Sequence, residues 1–292
     1  MLKKISFTVL TNVLNQFLLF IIFLFSAKLF GPEGRGVISS LVATMTLVGA
    51  ITGLSTGRII MNEIATDGQS PEAYLKKELS HYLSLSLLST LAGYLALMVI
   101  YCFFPGFFGE VAPLHIGIMA ISLPYYVWSS YSSYFFSTIG IITLQNKIIV
   151  VTKFLFMIVL AALYLTNALT LTCFLSLFSL FNLLNLLLDQ YYIRKSVRFD
   201  IIIRPDWKRI SRIARQSLNI HLDTIGYILY SSMTIVVLNI YMELKDVGLF
   251  NFAAQLISIL IVVPRITSQF INTEIVRKGA DAIWPFQKRY CY

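Results

Sequence analysis

The sequence predicts an all-α membrane protein that crosses the bilayer several times, and three observations lead to this fold class. Hydrophobic runs of helix length fill most of the 292 residues. Hydrophobic residues make up 57% of the chain and charged residues only 13%, with a mean hydropathy of +0.77, whereas soluble domains carry about 25% charged residues. Basic residues gather in alternate loops, which is typical of membrane proteins with positive cytoplasmic loops. Together these observations argue against a soluble fold.

Each hydrophobic run is long enough to cross the bilayer as a helix. A hydrocarbon core about 30 Å thick needs roughly 20 mostly apolar residues, and lipid offers no partner for unpaired backbone groups. About eight spans are predicted: Ile5 to Leu29, Val37 to Ile60, Leu79 to Phe104, Pro113 to Phe136, Ile148 to Leu165, Leu169 to Tyr191, Ser217 to Tyr241 and Val247 to Ile271. The first run is too long for a signal peptide and lacks a small-residue cleavage site, so we expect it to remain as a span.

The loop charges predict the orientation. The basic residues expected on one side are Lys3, Lys4, Arg58, Lys76, Lys77, Lys147, Arg194, Lys195, Arg198, Arg204, Lys208, Arg209, Arg212 and Arg215. The other side has only Lys28, Arg35 and Lys245. We therefore expect a cytoplasmic N-terminus. Orientation explains the net charge of +9 better than nucleic-acid binding does.

The long basic loop divides the chain. The predicted parts are a six-helix first lobe (1–193), a basic cytoplasmic or interfacial connector (194–216), a second-lobe segment of two helices (217–271) and a polar tail (272–292). In the connector, Trp207, Ile210 and Ile213 recur at helical spacing opposite basic residues. This pattern predicts a helix lying on anionic lipid. A solvated basic connector is the alternative.

Several motifs carry a resemblance to a known family. Gly31-Pro32-Glu33-Gly34-Arg35-Gly36 lies between the first two spans, Gly140 and Gln145-Asn146 follow the fourth, and Asp246 to Ala254 opens the eighth. Gly31 can adopt the positive φ that ends a helix, and Pro32 punctuates the turn, so a tight hairpin is expected. From about Leu2 to Ile271 the sequence resembles the polysaccharide transporters, the O-antigen and lipid-linked oligosaccharide flippases of the multidrug/oligosaccharidyl-lipid/polysaccharide exporter superfamily.

The resemblance implies two six-helix lobes around a central cavity and a place in the bacterial inner membrane. It also implies movement of a polyprenyl-diphosphate-linked oligosaccharide, such as an O-antigen or capsule repeat unit, to the outer leaflet. The expected partners are this lipid-linked oligosaccharide, membrane lipids and other glycan-assembly membrane proteins, and no nucleic acid. No cofactor or metal is expected. The resemblance does imply that transport is coupled to Na⁺ or H⁺. The chain has one lobe plus two helices, so we expect it to be C-terminally truncated.

A flippase has to shield a diphosphate and sugars from hydrocarbon, which calls for cations and amides in the spans. The candidate substrate-binding residues are Asn12, Gln16, Arg58, Lys153 and Arg265. Asn12 and Gln16 are four residues apart, on one helix face. The alternatives are that Lys153 reaches the headgroups along its long stem, that Arg58 only marks a helix end and that Arg265 is structural.

Asp223 is the candidate ion-coupling residue, because a charge within a span costs at least a few kcal/mol. Its alternatives are an ion pair with Arg215 or Arg265, or exposure at the helix entrance. His221 lies two residues away, so it points to another helix face. Cys102, Cys173 and Cys291 have no metal-ligand spacing and are expected to be inert.

The fourth span is rich in aromatic residues, namely Tyr125, Tyr126, Trp128, Tyr131 and Tyr134. They suit either stacking on sugar rings or an interfacial role. The serines among them suit close helix packing.

Two other classes of protein compete with a transporter. A membrane enzyme, such as a glycan ligase or polymerase, would need a large outer loop and paired carboxylates, and neither is found in the sequence. No GxxxxGK[ST] motif supports direct ATP use, so we expect no enzyme activity. The third class is a remnant that inserts into the membrane without transporting.

Overall fold

The computed structural model describes residues 2–67, 70–198, 206–228 and 233–257. Within these ranges the chain forms helices and no strands, which confirms the all-α fold class. The helices are α1 (Leu2–Thr52), α2 (Thr56–Asp67), α3 (Pro71–Phe103), α4 (Pro113–Ala120), α5 (Leu123–Thr138), α6 (Ile142–Leu165), α7 (Leu171–Val197), α8 (Trp207–Ile228), α9 (Thr234–Tyr241) and α10 (244–257), with a short 3₁₀ helix at Pro105–Phe108. Arg265 and the tail lie outside the described residues.

Four of the described helices are long and apolar enough to cross a membrane: Leu10–Thr52, Pro71–Phe103, Ile142–Leu165 and Leu171–Val197. The total of eight spans stays a prediction. On α3, Leu87, Leu91, Leu95 and Met98 repeat at helical spacing, and each is more than half exposed. Soluble monomers rarely expose an apolar patch of this kind, so this stripe is suited to lipid.

The predicted hairpin at Gly31 is confirmed. Gly31 has φ 68° and ψ −176°, a non-helical conformation inside α1. The Arg35 guanidinium carbon lies 4.0 Å from the centroid of the Phe23 ring, although twelve residues of straight helix would separate them by about 18 Å along the axis. The two halves of α1 therefore fold back on each other, as two separate spans would.

Two predicted spans are broken within the structure. The second span is interrupted between α1 and α2, where Leu54 and Ser55 have φ of 55° and 48°. The fourth span is interrupted between α4 and α5 at Ile121 and Ser122, just before Pro124. Proline favours the first turn of a new helix because it has no N–H to donate.

The second half of α1 packs closely against α5 through glycines spaced by four residues. A Cβ atom at Gly49 would lie 2.6 Å from Tyr126 Cβ, and one at Gly53 would lie 2.7 Å from Ser130 Oγ. A Cβ atom at Gly57, the second residue of α2, would likewise collide with Tyr134. Small residues at this spacing let two helices approach closely in a membrane. Ser130 therefore has the packing role predicted for the serines of this span.

The connector helix does not present its apolar face to lipid. Ile210 and Ile213 are 4% and 0% exposed, and α8 packs against α2 and α3 of the first lobe. The expected interfacial contact is thus wrong for these two residues, because protein covers them. Trp207, at the start of α8, is 65% exposed.

Candidate functional site

The structure places three of the predicted substrate-binding residues on two neighbouring helices. Asn12 and Gln16 lie half-buried on the first half of α1, and Lys153 lies half-buried on α6, which packs against α1. Because α6 begins at Ile142, Lys153 is at the middle of this 24-residue helix. The residue therefore lies further from the helix start than the predicted span, which begins at Ile148, indicates.

Of the other predicted charges, Arg58 lies on a different helix from these three. Arg58 is exposed near the start of α2, which packs against α5 and α8. The backbone at Asp223 belongs to α8, but its side chain lies outside the described part of the structure. Its neighbour His221 is 4% exposed, with Nδ1 3.0 Å from Ser55 Oγ. The pairings proposed for Asp223 stay predictions.

The two family-like motifs meet in the folded chain, at a contact that we call the Arg35 junction. Arg35, from the first motif, is 1% exposed and donates from Nη2 to Asn251 Oδ1 at 2.6 Å. Its guanidinium also lies over the Phe23 ring, and such cation–π contacts stabilise a desolvated cation. Asn251 belongs to the second motif, so Arg35 joins α1 to α10.

Glycine is required at this junction because two backbones touch. A Cβ at Gly36 would collide with the carbonyl oxygen of Leu244, and one at Gly248 would collide with that of Pro32. Glycine, which has no Cβ, allows such an approach. Thus the first motif packs on α10 through its own backbone as well as through Arg35.

A second long-range contact joins α8 to α2 and α3. Arg209 on α8 donates from Nε to Glu78 Oε2 and from Nη2 to Glu63 Oε2, both at 2.8 Å. Tyr74 and Tyr82 also donate to Glu63 Oε2. We call these five residues the Arg209 cluster. The forked geometry of arginine allows it to bind two carboxylates at once.

Electrostatics keep Arg209 charged. Burial lowers the pKa of its guanidinium, but the hydrogen bond to Glu78 and the charges of Glu63 and Glu78 more than offset this, so its pKa lies above that of an ordinary arginine. Its side chain is 19% exposed and that of Glu78 is 6% exposed. Water therefore screens the ion pair only in part.

The aromatic residues of α5 divide between core and polar surroundings. Trp128 and Tyr131 are buried at 1% and 0% and stack on each other, with ring centroids 6.1 Å apart. Their position in the first-lobe core does not suit sugar binding. Tyr125 and Tyr126 are half-buried and face polar groups of α7 instead.

A polar row on α7, with Asn185 and Asp189 buried, is absent from the candidate residues that the sequence predicts. Asn182, Asn185 and Asp189 recur at helical spacing on one face, towards α5 and α6. Thr152 Oγ1 donates to Asn185 Oδ1 at 2.7 Å. The carboxylate of Asp189 lies close to Ser132 and Gln145, and Gln145 belongs to one of the family-like matches. The signal was present, since Asp189 is an acid within the predicted sixth span.

The helical bundle, its exposed apolar stripe and its four membrane-length helices define a multi-pass membrane protein. The polysaccharide biosynthesis protein family matches residues 1–268, so this chain belongs to that family. This supports a membrane role in polysaccharide biosynthesis or export. Neither the curated proteins nor the solved structures give a match to this chain.

Proposed function

We propose that this protein flips a polyprenyl-diphosphate-linked oligosaccharide, such as an O-antigen or capsule repeat unit, across the bacterial inner membrane. The observation that carries the proposal is the family match over residues 1–268 of a chain with membrane-length helices. Such a substrate has a charged, hydrated head and an apolar tail. Moving it requires polar groups between helices for the head and an open path to lipid for the tail.

In this proposal, half-buried polar side chains on α1 and α6 face the head group. Asn12 and Gln16 supply amides for hydroxyl groups, and Lys153 supplies a cation for the diphosphate. Arg265 is proposed as a second cation, and its position lies outside the described residues. Charge-assisted hydrogen bonds to phosphate are stronger than those between neutral groups.

Alternating access requires that the two ends of the protein open in turn. The Arg35 junction and the Arg209 cluster are the contacts that would have to separate, because the first joins α1 to α10 and the second joins α2 and α3 to α8. With a cytoplasmic N-terminus, the Arg209 cluster lies at the inner end and the Arg35 junction at the outer end. No enzymatic step is included in this proposal.

Complementation tests the proposal. The chain is expressed in a bacterium that lacks its own flippase, and surface glycan and accumulated lipid-linked oligosaccharide are measured together. We expect surface glycan to return and the accumulated intermediate to fall. Lys153→Ala should lower glycan export with an unchanged amount of membrane protein, whereas Lys153→Arg should retain most of it. Lys77→Ala, at an exposed lysine of α3, is the control.

Three outcomes would overturn parts of the proposal. If the chain inserts but the intermediate still accumulates, it is a membrane remnant and not a transporter. If Lys153→Ala exports as well as the unchanged protein, Lys153 has no role at the diphosphate. If surface glycan returns in the flippase-deficient bacterium but its linkage or length is altered, the chain is an enzyme of glycan assembly.

A further inference from the structure

The second span is bent at two residues that do not favour a bend. Leu54 and Ser55 lie between α1 and α2 and have φ of 55° and 48°. A positive φ is disfavoured for residues with a side chain, because Cβ then comes close to the backbone carbonyl. Such a conformation persists only where surrounding contacts hold it in place. The contacts that hold this break therefore have to come from other helices.

Two buried residues of α8 contact the chain at this break. Ser217 and His221 are four residues apart, on one face of the helix, and they are 0% and 4% exposed. Ser217 Oγ donates to Thr56 Oγ1 at 3.2 Å, and Thr56 Oγ1 donates to the carbonyl oxygen of Gly53 at 3.3 Å. Gly53 precedes the break and Thr56 follows it, so a chain of hydrogen bonds runs from α8 across the break.

His221 also contacts the chain at the break. Its Nδ1 is 3.0 Å from Ser55 Oγ, and its ring lies close to the backbone of Ile51, in the last turn of α1. The carbonyl groups in the last turn of a helix have no partner within that helix. The imidazole is therefore placed where the interruption of the span leaves polar groups without helical partners.

The packing of the second span on α5 continues through the break. Gly49 and Gly53 precede the break and Gly57 follows it, and a Cβ atom at any of the three would collide with an atom of α5. The three glycines are four residues apart, which is the spacing of one face of an uninterrupted helix. Contact with α5 is thus compatible with a continuous second span, and the contacts that favour the bent form come from α8.

We propose that α8 holds the second span bent at Leu54 and Ser55, and that the span becomes one continuous helix when α8 moves away. The hydroxyl of Ser217 and the imidazole of His221 stabilise the bent form, and the hydrogen bonds of a regular helix stabilise the straight form. Bending of the span and packing of α8 are then coupled, so a change in one shifts the other. This coupling does not depend on glycan transport.

A comparison of glycine with alanine at position 54 tests the proposal. Leu54→Gly and Leu54→Ala differ by one methyl group, but glycine accepts a positive φ whereas alanine favours a regular helix. Thermal unfolding of the purified chain in detergent is the measurement. With α8 unchanged, the span is bent, and Leu54→Gly should unfold about 2–4 °C above Leu54→Ala.

The same comparison is then made in a chain that carries Ser217→Ala and His221→Leu. Without these two contacts the span should be helical at position 54, so Leu54→Ala should now have the higher Tm. Ala92→Gly, at an exposed position inside α3, is the control and should lower the Tm in both chains. If glycine is favoured at position 54 in both chains, the break persists without α8 and the proposal is wrong. If alanine is favoured in both, α8 does not hold the span bent, and the proposal is wrong as well.

A second pair of substitutions keeps the proposal testable if the altered α8 prevents folding. Ser55→Ala and Thr56→Val remove the same two contacts from the side of the second span, leave α8 intact and change the side-chain volumes little. The order of glycine and alanine at position 54 should reverse in this chain too, and an unchanged order contradicts the proposal. Because the readout involves no glycan, a failure of complementation leaves this result intact.

Discussion

Arg35 shows how a single residue can hold two parts of the chain together. The guanidinium is 1% exposed and has one hydrogen bond, to Asn251, and one aromatic face, that of Phe23. Its Nε and Nη1 have no hydrogen-bond partner among the described residues. A buried cation of this kind is strongly destabilising once its remaining partner is removed. Asn251 therefore matters more than an ordinary amide of a helix.

Substitutions at Asn251 test this dependence. Asn251→Leu leaves Arg35 without its hydrogen bond and should lower the stability by about 1.5–3 kcal/mol. Asn251→Asp places a negative charge beside the guanidinium and should raise the Tm above that of the unchanged protein. Thermal unfolding in detergent measures both, with Lys245→Gln on the exposed side of α10 as the control. An aspartate variant less stable than the leucine variant would contradict this account.

The partners of buried charges could not be predicted from the sequence. The sequence places Arg209 in a basic connector, and its two carboxylate partners are 131 and 146 residues away. No local pattern specifies which of several arginines reaches them. The same holds for Asp189, whose partners lie on other helices. Arg35 was recognised as part of a motif, but its burial depends on the packing of α10.

At the scale of elements, helix approach is limited by glycine. Gly36 and Gly248 allow the first motif to touch α10, and each would place a new Cβ against a backbone oxygen. Backbone cannot move aside as a flexible side chain can. The contact between these two segments therefore depends on the absence of two methyl groups.

Alanine substitutions at glycines should separate two effects on stability, the loss of close backbone contact and the gain in helix propensity. Gly36→Ala and Gly248→Ala are each expected to destabilise the protein by about 1–3 kcal/mol through overpacking. Gly117→Ala on α4 is the matched control, since its Cβ would meet nothing within 4 Å, and alanine should there gain up to about 1 kcal/mol. The three variants are compared by thermal unfolding. Equal effects at all three positions would show that the backbones do not touch.

The sequence predicts a helix end well where local residues cause it. It predicts a helix end less well where tertiary contacts cause it. The break at Gly31 follows from glycine and the proline after it. The break at Leu54 and Ser55 does not, because neither residue favours a positive φ. Close packing of Gly53 on Ser130 accompanies it. The interruption at Ser122 was hidden by continuous hydrophobicity, although Pro124 signalled a new helix start.

At the scale of the whole molecule, the positive charge of the connector predicts the orientation. The N-terminus and residues 194–216 should face the cytoplasm, and the loop after α3 should face the other side. Both loops offer exposed acids for labelling, Asp206 in the connector and Glu110 after α3.

Thiol accessibility checks this orientation. Asp206→Cys and Glu110→Cys are made separately in a chain whose Cys102, Cys173 and Cys291 are replaced by serine. A membrane-impermeant maleimide should label Glu110→Cys in intact cells and Asp206→Cys only after permeabilisation. The reverse pattern would invert the orientation and exchange the inner and outer ends proposed for the two contacts.

The segment from Arg35 to Glu63 contacts α10 at one end and α8 at the other. Its 29 residues would extend over about 42 Å as one straight helix, and the backbone break at Leu54 and Ser55 lies between the two ends. Contacts so far apart, with no shared partner, contribute additively to stability. Breaking one contact therefore costs only the free energy of that contact. Either end can separate without changing the stability of the contact at the other end.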